Sequence, residues 1–421
     1  MVLSFSWESP RKKGPRQLLD TALNRSRQYP LSIQFFYETR SESDLDEMYS
    51  DLKCFQLLMK QSYRWRHIYF DMPERFYDML SPIQGHIPLL ESLHLTLGDE
   101  TSILMRDPWT EIAFAQAPSL KTVKFIGLSR SVNSNLPFSQ IISFSDTRPY
   151  KGHELTRHLL SVLRDFPQLR SFEYLSSDFR RYTDPFFVLD PRVRNPGVHT
   201  LSACDCSFLR SLELPSLKEM ELTTGTANYN LDTEMNVFCP PGALESLKVL
   251  IYNSDCALTK LTIAHARMNS NLIDILELSR TLSELNIQIR AWTALADDDV
   301  LRAVVSSLAE TDDHGRHRVI PYLRSLSIEA CSFVPSIAHY HATFFDRKFV
   351  EMISSRVKVV NPCLRSLNVV LQGQLEWSLT GGDEDRLNLL SKDGLRVHLE
   401  MDTDDSDSDA DSDSDDLGFG F

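Results

Sequence analysis

Apolar side chains return along this chain with one spacing. In Pro321-Tyr322-Leu323-Arg324-Ser325-Leu326-Ser327-Ile328 a proline is followed by apolar residues at relative positions one, four and six, here Leu323, Leu326 and Ile328. The phrase recurs behind Pro88 (Leu90, Leu93, Leu95), Pro118 (Leu120, Val123, Phe125), Pro167 (Leu169, Phe172, Tyr174) and Pro362 (Leu364, Leu367, Val369). Copies without the proline occur at Trp65, Ile68, Phe70; at Leu258, Leu261, Ile263; and at Leu282, Leu285, Ile287. Positions four and six are two apart, the side-chain period of a strand. Leu326 and Ile328 are therefore predicted to enter a core while Ser325 and Ser327 face out. The proline cannot continue a helix and holds the residue before it extended, so it predicts a passage from helix to strand ahead of each copy.

Between copies the period changes to three and four. Leu45, Met48, Leu52, Phe55 and Leu58 predict a helix, capped by Ser43 or Asp44, that runs into the strand at Trp65. Further stripes are Leu155, Leu159, Leu160, Leu163; Leu272, Ile275, Leu276; and Phe345, Phe349, Met352. Asp297 to Asp299 place negative charge at the start of a helix through Val300, Val304 and Leu308, where the helix dipole favours it. A parallel return needs about a dozen residues. That spacing keeps Leu217, Met220 and Leu222, behind Pro215, as a strand, and makes Leu209, Leu212 and Leu214 its lead-in. It also assigns Leu244, Leu247 and Leu250 to a helix. Ile141 with Phe144, and Val198 with Leu201 and Ala203, fill two long gaps. Strand units then start at 65, 90, 120, 141, 169, 198, 217, 258, 282, 323 and 364. The pattern fades beyond Val369, with a last short strand at 395–399. The expected fold class is α/β: an irregular leucine-rich-repeat solenoid of about eleven rungs, with parallel strands on the inner face and helices outside. Cys206 and Cys331 occupy the turn position that such repeats give to Asn or Cys. The solenoid is expected over 29–400, behind an N-terminal extension, 1–28, and ahead of a disordered acidic C-terminal tail, 401–421.

Charge alters this picture at the two ends. The net charge of the 421 residues is -14, but nine aspartates between Asp402 and Asp416 supply most of it, which leaves a nearly balanced body. A nucleic-acid backbone binder would need a basic face, so nucleic acid is an unexpected partner. The tail cannot bury apolar surface. Ser406, Ser408 and Ser412 each have an aspartate three residues on, the pattern acidophilic kinases read, and are phosphorylation candidates. Arg11, Lys12, Lys13 and Arg16 read either as a solvated extension or as a nuclear-import signal. Seven cysteines without paired spacing suit a reducing compartment. No apolar run reaches the roughly 18 to 20 residues of a membrane span. An intracellular protein, cytoplasmic or nuclear and without a membrane partner, is expected.

Asn24-Arg-Ser-Arg-Gln-Tyr-Pro-Leu-Ser-Ile33, Ser62-Tyr-Arg-Trp-Arg-His-Ile68, Ser81-Pro-Ile83, Pro88-Leu-Leu-Glu-Ser-Leu-His-Leu95 and Phe114-Ala-Gln-Ala-Pro-Ser-Leu120 follow one another in an order that resembles the fungal F-box proteins with irregular leucine-rich repeats. Leu136-Pro-Phe-Ser-Gln140 and Ser354-Ser-Arg356 fit the same order, and the likeness covers about residues 17 to 370. The resemblance implies a substrate receptor of a cullin-type ubiquitin ligase, whose repeats hold a protein target while an F-box docks on the ligase adaptor. The chain departs from it at the start. Only about 20 residues precede Asn24, too few for an F-box. The expectation is a chain without a ligase handle, or one whose start codon was placed too far downstream. The adaptor is a partner only if an F-box is supplied upstream.

Catalytic patterns are absent from the sequence: no Gly-x-Ser-x-Gly, no phosphate-cradling glycine loop and no His-Glu-x-x-His. Cys204-x-Cys206 and His339-x-His341 have no second pair at structural-zinc spacing, so no metal and no cofactor is expected. Ser92, Ser171, Ser211, Ser246, Ser325 and Ser366 share one slot of the phrase and read as structural. Their variable neighbours His67, Tyr69, His94, Lys124, Glu173, Glu221, Lys260, Glu284 and Asn286 are the candidate protein-binding residues of the inner face. A non-enzymatic recognition function is expected. The alternative is a free-standing scaffold whose acidic tail engages basic proteins.

Overall fold

The lead phrase forms a strand, Ser325–Ser332, in which Leu326 and Ile328 are 1% and 2% exposed while Ser325 and Ser327 are half-buried on the other face. Leu323, just ahead of it, is also buried, and Pro321 sits in the preceding turn. The structure, a computed structural model, describes residues 2–5, 15–37, 45–72, 77–97, 113–127, 136–148, 153–176, 191–224, 239–264, 266–289, 292, 294–332, 340–357, 364–373, 375–377 and 379–402.

In chain order the first strands are β1 (Val2–Phe5), β2 (Leu31–Phe36), β3 (Trp65–Met72), β4 (Ser92–Leu97), β5 (Thr122–Ile126) and β6 (Ser143–Arg148). There follow β7 (Ser171–Ser176), β8 (Val193–Arg194), β9 (Thr200–Ala203), β10 (Leu212–Glu213), β11 (Glu219–Leu222) and β12 (Lys260–Ala264). The last are β13 (Glu284–Ile289), β14 (Ser325–Ser332), β15 (Tyr340–Ala342), β16 (Ser366–Gly373), β17 (Leu375–Trp377) and β18 (Arg396–Asp402). The helices are α1 (Pro15–Arg25), α2 (Leu45–Met59), α3 (His153–Asp165), α4 (Cys206–Arg210) and α5 (Ala243–Ser254), then α6 (Asn271–Leu278), α7 (Ala294–Ala309), α8 (Arg347–Val357) and α9 (Gly381–Lys392).

Fourteen strands form one sheet in the order β1-β2-β3-β4-β5-β6-β7-β9-β11-β12-β13-β14-β16-β18, and every pairing in it is parallel. The chain is thus mixed α/β around a large parallel sheet whose strands never leave chain order. The short strands pair connection to connection: β8 with β10, and β15 with β17. One series of backbone bonds crosses the sheet at the strand starts. The amide of Glu91 donates to Arg66 O, Lys121 to Glu91 O, Ile142 to Lys121 O and Arg170 to Ile142 O, and the series continues through His199, Lys218, Thr259, Ser283, Arg324 and Arg365 to Arg396, each at 2.8–2.9 Å. It holds all these strands in one register, although their connections differ in length.

The inward strand residues and the apolar helix stripes share a single core that runs from Leu19 and Leu23 to Leu387 and Leu395. Ring contacts tie strands to one another and to the helices within it. Phe144 stacks on Phe172 at 5.8 Å and Phe172 on Phe208 at 5.6 Å, while Phe35, Phe55 and Phe70 cluster at the other end. The eleven predicted units all fall on strands of the sheet, and 395–399 becomes β18. Two expectations need correction. The sheet gains β1 and β2 ahead of residue 65, because Leu31, Ile33 and Phe35 alternate as the other strands do and are 0–1% exposed. Within 1–28, α1 buries Leu19 and Leu23. The pattern does not fade at Val369, since β16 reaches Gly373. Asp298, read as a charge on a helix start, is buried and holds the turn after β15 by accepting from Phe344 N at 2.9 Å and from the Thr343 hydroxyl. Ser43 and Asp44, the run 6–14 and the tail from Thr403, with Ser406, Ser408 and Ser412, lie outside the described residues.

Candidate functional site

Alternation and register together decide what the uncovered face of the sheet presents. Residues pair across it in rows. One row runs Gln34, Tyr69, His94, Lys124, Ser145, Glu173, Ser202, Glu221, Thr262, Asn286, Ser327, Asn368, His398. Six of the nine sequence candidates, Tyr69, His94, Lys124, Glu173, Glu221 and Asn286, stand in this row. The remaining three, His67, Lys260 and Glu284, stand in the row two residues nearer the strand starts, which pairs His67 with Ser92 and Lys260 with both Glu219 and Glu284. Adjacent strands are about 4.8 Å apart, so the two rows extend for roughly 60 Å.

The face changes character along its length. At the β2 to β4 end it is aromatic: Phe36 lies 5.0 Å from Tyr69, and Tyr69 meets the His94 ring edge-on at 4.2 Å. Burial, and after it the charge of Lys124, pull the His94 pKa down to about 4, and its Nε2 lies 3.4 Å from the Thr96 hydroxyl. Lys124 reaches across β6 to Glu173 at 3.8 Å, and the strand between carries Ser145, whose small side chain is covered. Further along, polar groups bond within the row: Ser202 donates to Glu221 at 2.9 Å, and Asn368 to Ser327 at 2.9 Å. The Asn286 side-chain oxygen has no hydrogen-bond partner.

A basic rim borders the two rows. The residue after position one of the phrase is Lys121, Arg170, Lys218, Arg324 or Arg365 in five strands; all five are exposed, and none makes an ion pair among the described residues. Arg66, on the same rim, pairs with Glu91 at 3.1 Å, and that contact holds the Glu91 carboxyl below its usual range. The rim lies outside the alternating positions; its signal in the sequence is the Leu-Lys or Leu-Arg at the head of five of the units.

Other features singled out in the sequence are structural. Ser211 donates to Ser207 O at 2.8 Å, and Ser246 accepts from Arg210 at 2.9 Å, both away from the rows. Cys206 opens α4 beneath the Asp205 cap, and its thiol donates to Pro241 O at 3.6 Å. Burial pushes its pKa up to about 12 and raises that of Cys204 as well, which leaves both as unreactive thiols. Among the described residues no three His, Cys, Asp or Glu side chains are grouped to hold a metal ion, and no helix is long and apolar enough to cross a membrane. No protein-family model matches the chain, and no curated protein is similar to it.

Proposed function

We propose that the chain is a protein-recognition module, a leucine-rich-repeat solenoid whose uncovered sheet face holds a protein target without catalysis. One observation carries this reading: nine residues picked as outward and variable lie in two adjacent rows on the face that the helices leave free. A long, rigid surface that changes from aromatic to charged to amide-rich suits an extended protein partner better than a small molecule. The resemblance to F-box proteins refines the proposal to the substrate-receptor part of a cullin-type ligase, with the adaptor engaged only through an F-box supplied upstream.

The test compares the proteins that co-purify with the wild-type chain and with a Glu221→Lys, Asn286→Arg variant. Both positions are on the open face, so the fold should survive, as circular dichroism would verify. A partner retained by the wild type and lost by the variant supports the reading. Identical partner sets from a folded variant would sink it. Sequencing the coding DNA upstream of Met1, followed by co-purification with the ligase adaptor, tests the finer assignment independently.

A further inference from the structure

We propose that a cavity at the β2 to β3 end of the rim is a binding site for a phosphate group, free or as a small monoester. This inference does not depend on the recognition proposal. The cavity, of about 360 Å³, is lined by Arg25, Ser26, Tyr29, Ser32, Arg66 and His67 among others. That volume lies within the range of small-ligand sites. The lining offers two guanidinium groups, an imidazole, a phenol and the Ser32 hydroxyl, and contains no carboxylate; the Ser26 hydroxyl already donates to Leu23 O.

Three observations raise it above an ordinary surface hollow. Arg64 is only 1% exposed; its Nη2 donates to the hydroxyl of Ser26, a lining residue, at 3.0 Å, while Nε and Nη1 have no partner. A buried cation without a counter-charge is costly, and an anion just beyond Ser26 would offset it. Second, Arg66 bonds Glu91 through Nε, which leaves its terminal nitrogens outside that contact, and Arg25 has no ion-pair partner among the described residues. Three guanidinium groups against one carboxylate leave two positive charges, close to the charge of a phosphate monoester near neutral pH. Third, α1 ends at the cavity, and free carbonyls there would repel an anion. Three of the last four are already used: Ala22 O accepts from Ser26 N, Leu23 O from the Ser26 hydroxyl, and Asn24 O from Arg27 N. A planar guanidinium fork matches phosphate oxygens two at a time, and the site offers two such forks.

The experiment is calorimetric titration of the folded full chain with inorganic phosphate and, separately, glycerol 1-phosphate, with ionic strength held constant by chloride. Saturable binding at one site is expected. Arg25→Gln or Arg66→Gln should weaken it about ten-fold or more. Glu91→Gln, which frees Arg66, should tighten it. Arg170→Gln and Arg324→Gln, on the same rim but away from the cavity, should leave it unchanged. The stronger of the two ligands identifies the free anion or the ester as the species recognised. The proposal is overturned if no saturable binding occurs by about 10 mM phosphate. Equal weakening by Arg324→Gln and Arg66→Gln would also overturn it, since that would be counter-ion accumulation along the whole rim. So would an unchanged affinity in both Arg25→Gln and Arg66→Gln.

Discussion

Arg356 is where a single side chain does most to join neighbouring units. It leaves α8 fully covered, 2% exposed, and donates to Leu308 O from Nε at 3.1 Å and Nη2 at 2.7 Å, to Ile320 O at 3.0 Å and to Val319 O at 2.8 Å. These carbonyls belong to the end of α7 and to the turn before β14. Ile320 adopts φ 37, a conformation a β-branched residue rarely takes, and the guanidinium grips the carbonyl of that same residue. Arg356→Met should therefore cost about 3 kcal/mol or more, because it strips donors from three buried carbonyls. Arg356→Lys should recover little of it, since an ammonium cannot span all three. Urea midpoints at neutral pH would measure both, and a midpoint shift under a few tenths of a molar would contradict the clamp. His94 offers a second residue-level outcome. Its pKa is depressed to about 4 in the folded chain against 6.5 for an ordinary imidazole. Between these values the unfolded chain takes up a proton that the folded chain refuses. His94 thus lowers stability as pH falls from about 6.5 to about 4, and the loss levels off below that. In His94→Gln the drop in urea midpoint between pH 7 and pH 5 should be smaller than in the wild type; an equal drop would show that the ring is solvated like a free imidazole.

At the scale of elements, legibility followed the strength of the alternation. Leu326 and Ile328, or Leu93 and Leu95, announce strands because one face is buried by helices and the other is not. β2 carries the same alternation in Leu31, Ile33 and Phe35, but Pro30 stands at its position one, so the triplet of the phrase is broken there. The weak sixth position of the 141 unit has a physical cause: the inward residue is Asp146, 0% exposed and close enough to Tyr174 to help burial raise the phenol pKa. A buried polar cluster leaves no hydrophobic trace. Arg356 and Asp298 were illegible as clamps for a related reason, since their partners, mostly backbone atoms, are 36 to 48 residues away. The outward rows were readable because constant register turns a position in the phrase into a position in space. The cavity beside Arg66 was not, since it depends on how the end of α1 packs beside β2 and β3, a contact between segments far apart in the chain. Gly373 shows how tightly the last strands meet. It pairs with Ser332 at φ 74, and a Cβ there would lie 2.1 Å from Ser332 O. Gly394, at φ 103, has nothing within 4 Å of its would-be Cβ. Gly373→Ala should destabilise by about 1–3 kcal/mol and more than Gly394→Ala, which suffers only the backbone conformation. Equal losses from the two would remove the close approach as a cause.

For the whole molecule the open question is what stops the sheet from growing. Among the described residues it has two free edges, β1 and β18, and because all strands are parallel these edges are complementary to each other across molecules. Edge pairing of that kind is head-to-tail and does not close, so it leads to open assemblies and not to a dimer. β18 presents the exposed residues Arg396, His398 and Glu400, a mixed set with little net charge, and is followed at once by the aspartate run that supplies nine of the chain's fourteen excess negative charges. A dense like charge beside the only edge that can extend the sheet at this end should repel a second copy before strands can pair. A chain ended after Asp402 keeps every core residue among the described residues and is accordingly expected to keep its urea midpoint, but to scatter light increasingly with concentration where the full chain does not. Because the protection is electrostatic, about 0.5 M salt should bring the full chain toward the truncated one. A truncated chain that stays monomeric at every concentration, or a full chain indifferent to salt, would mean that the strand itself and not the aspartates guards the edge.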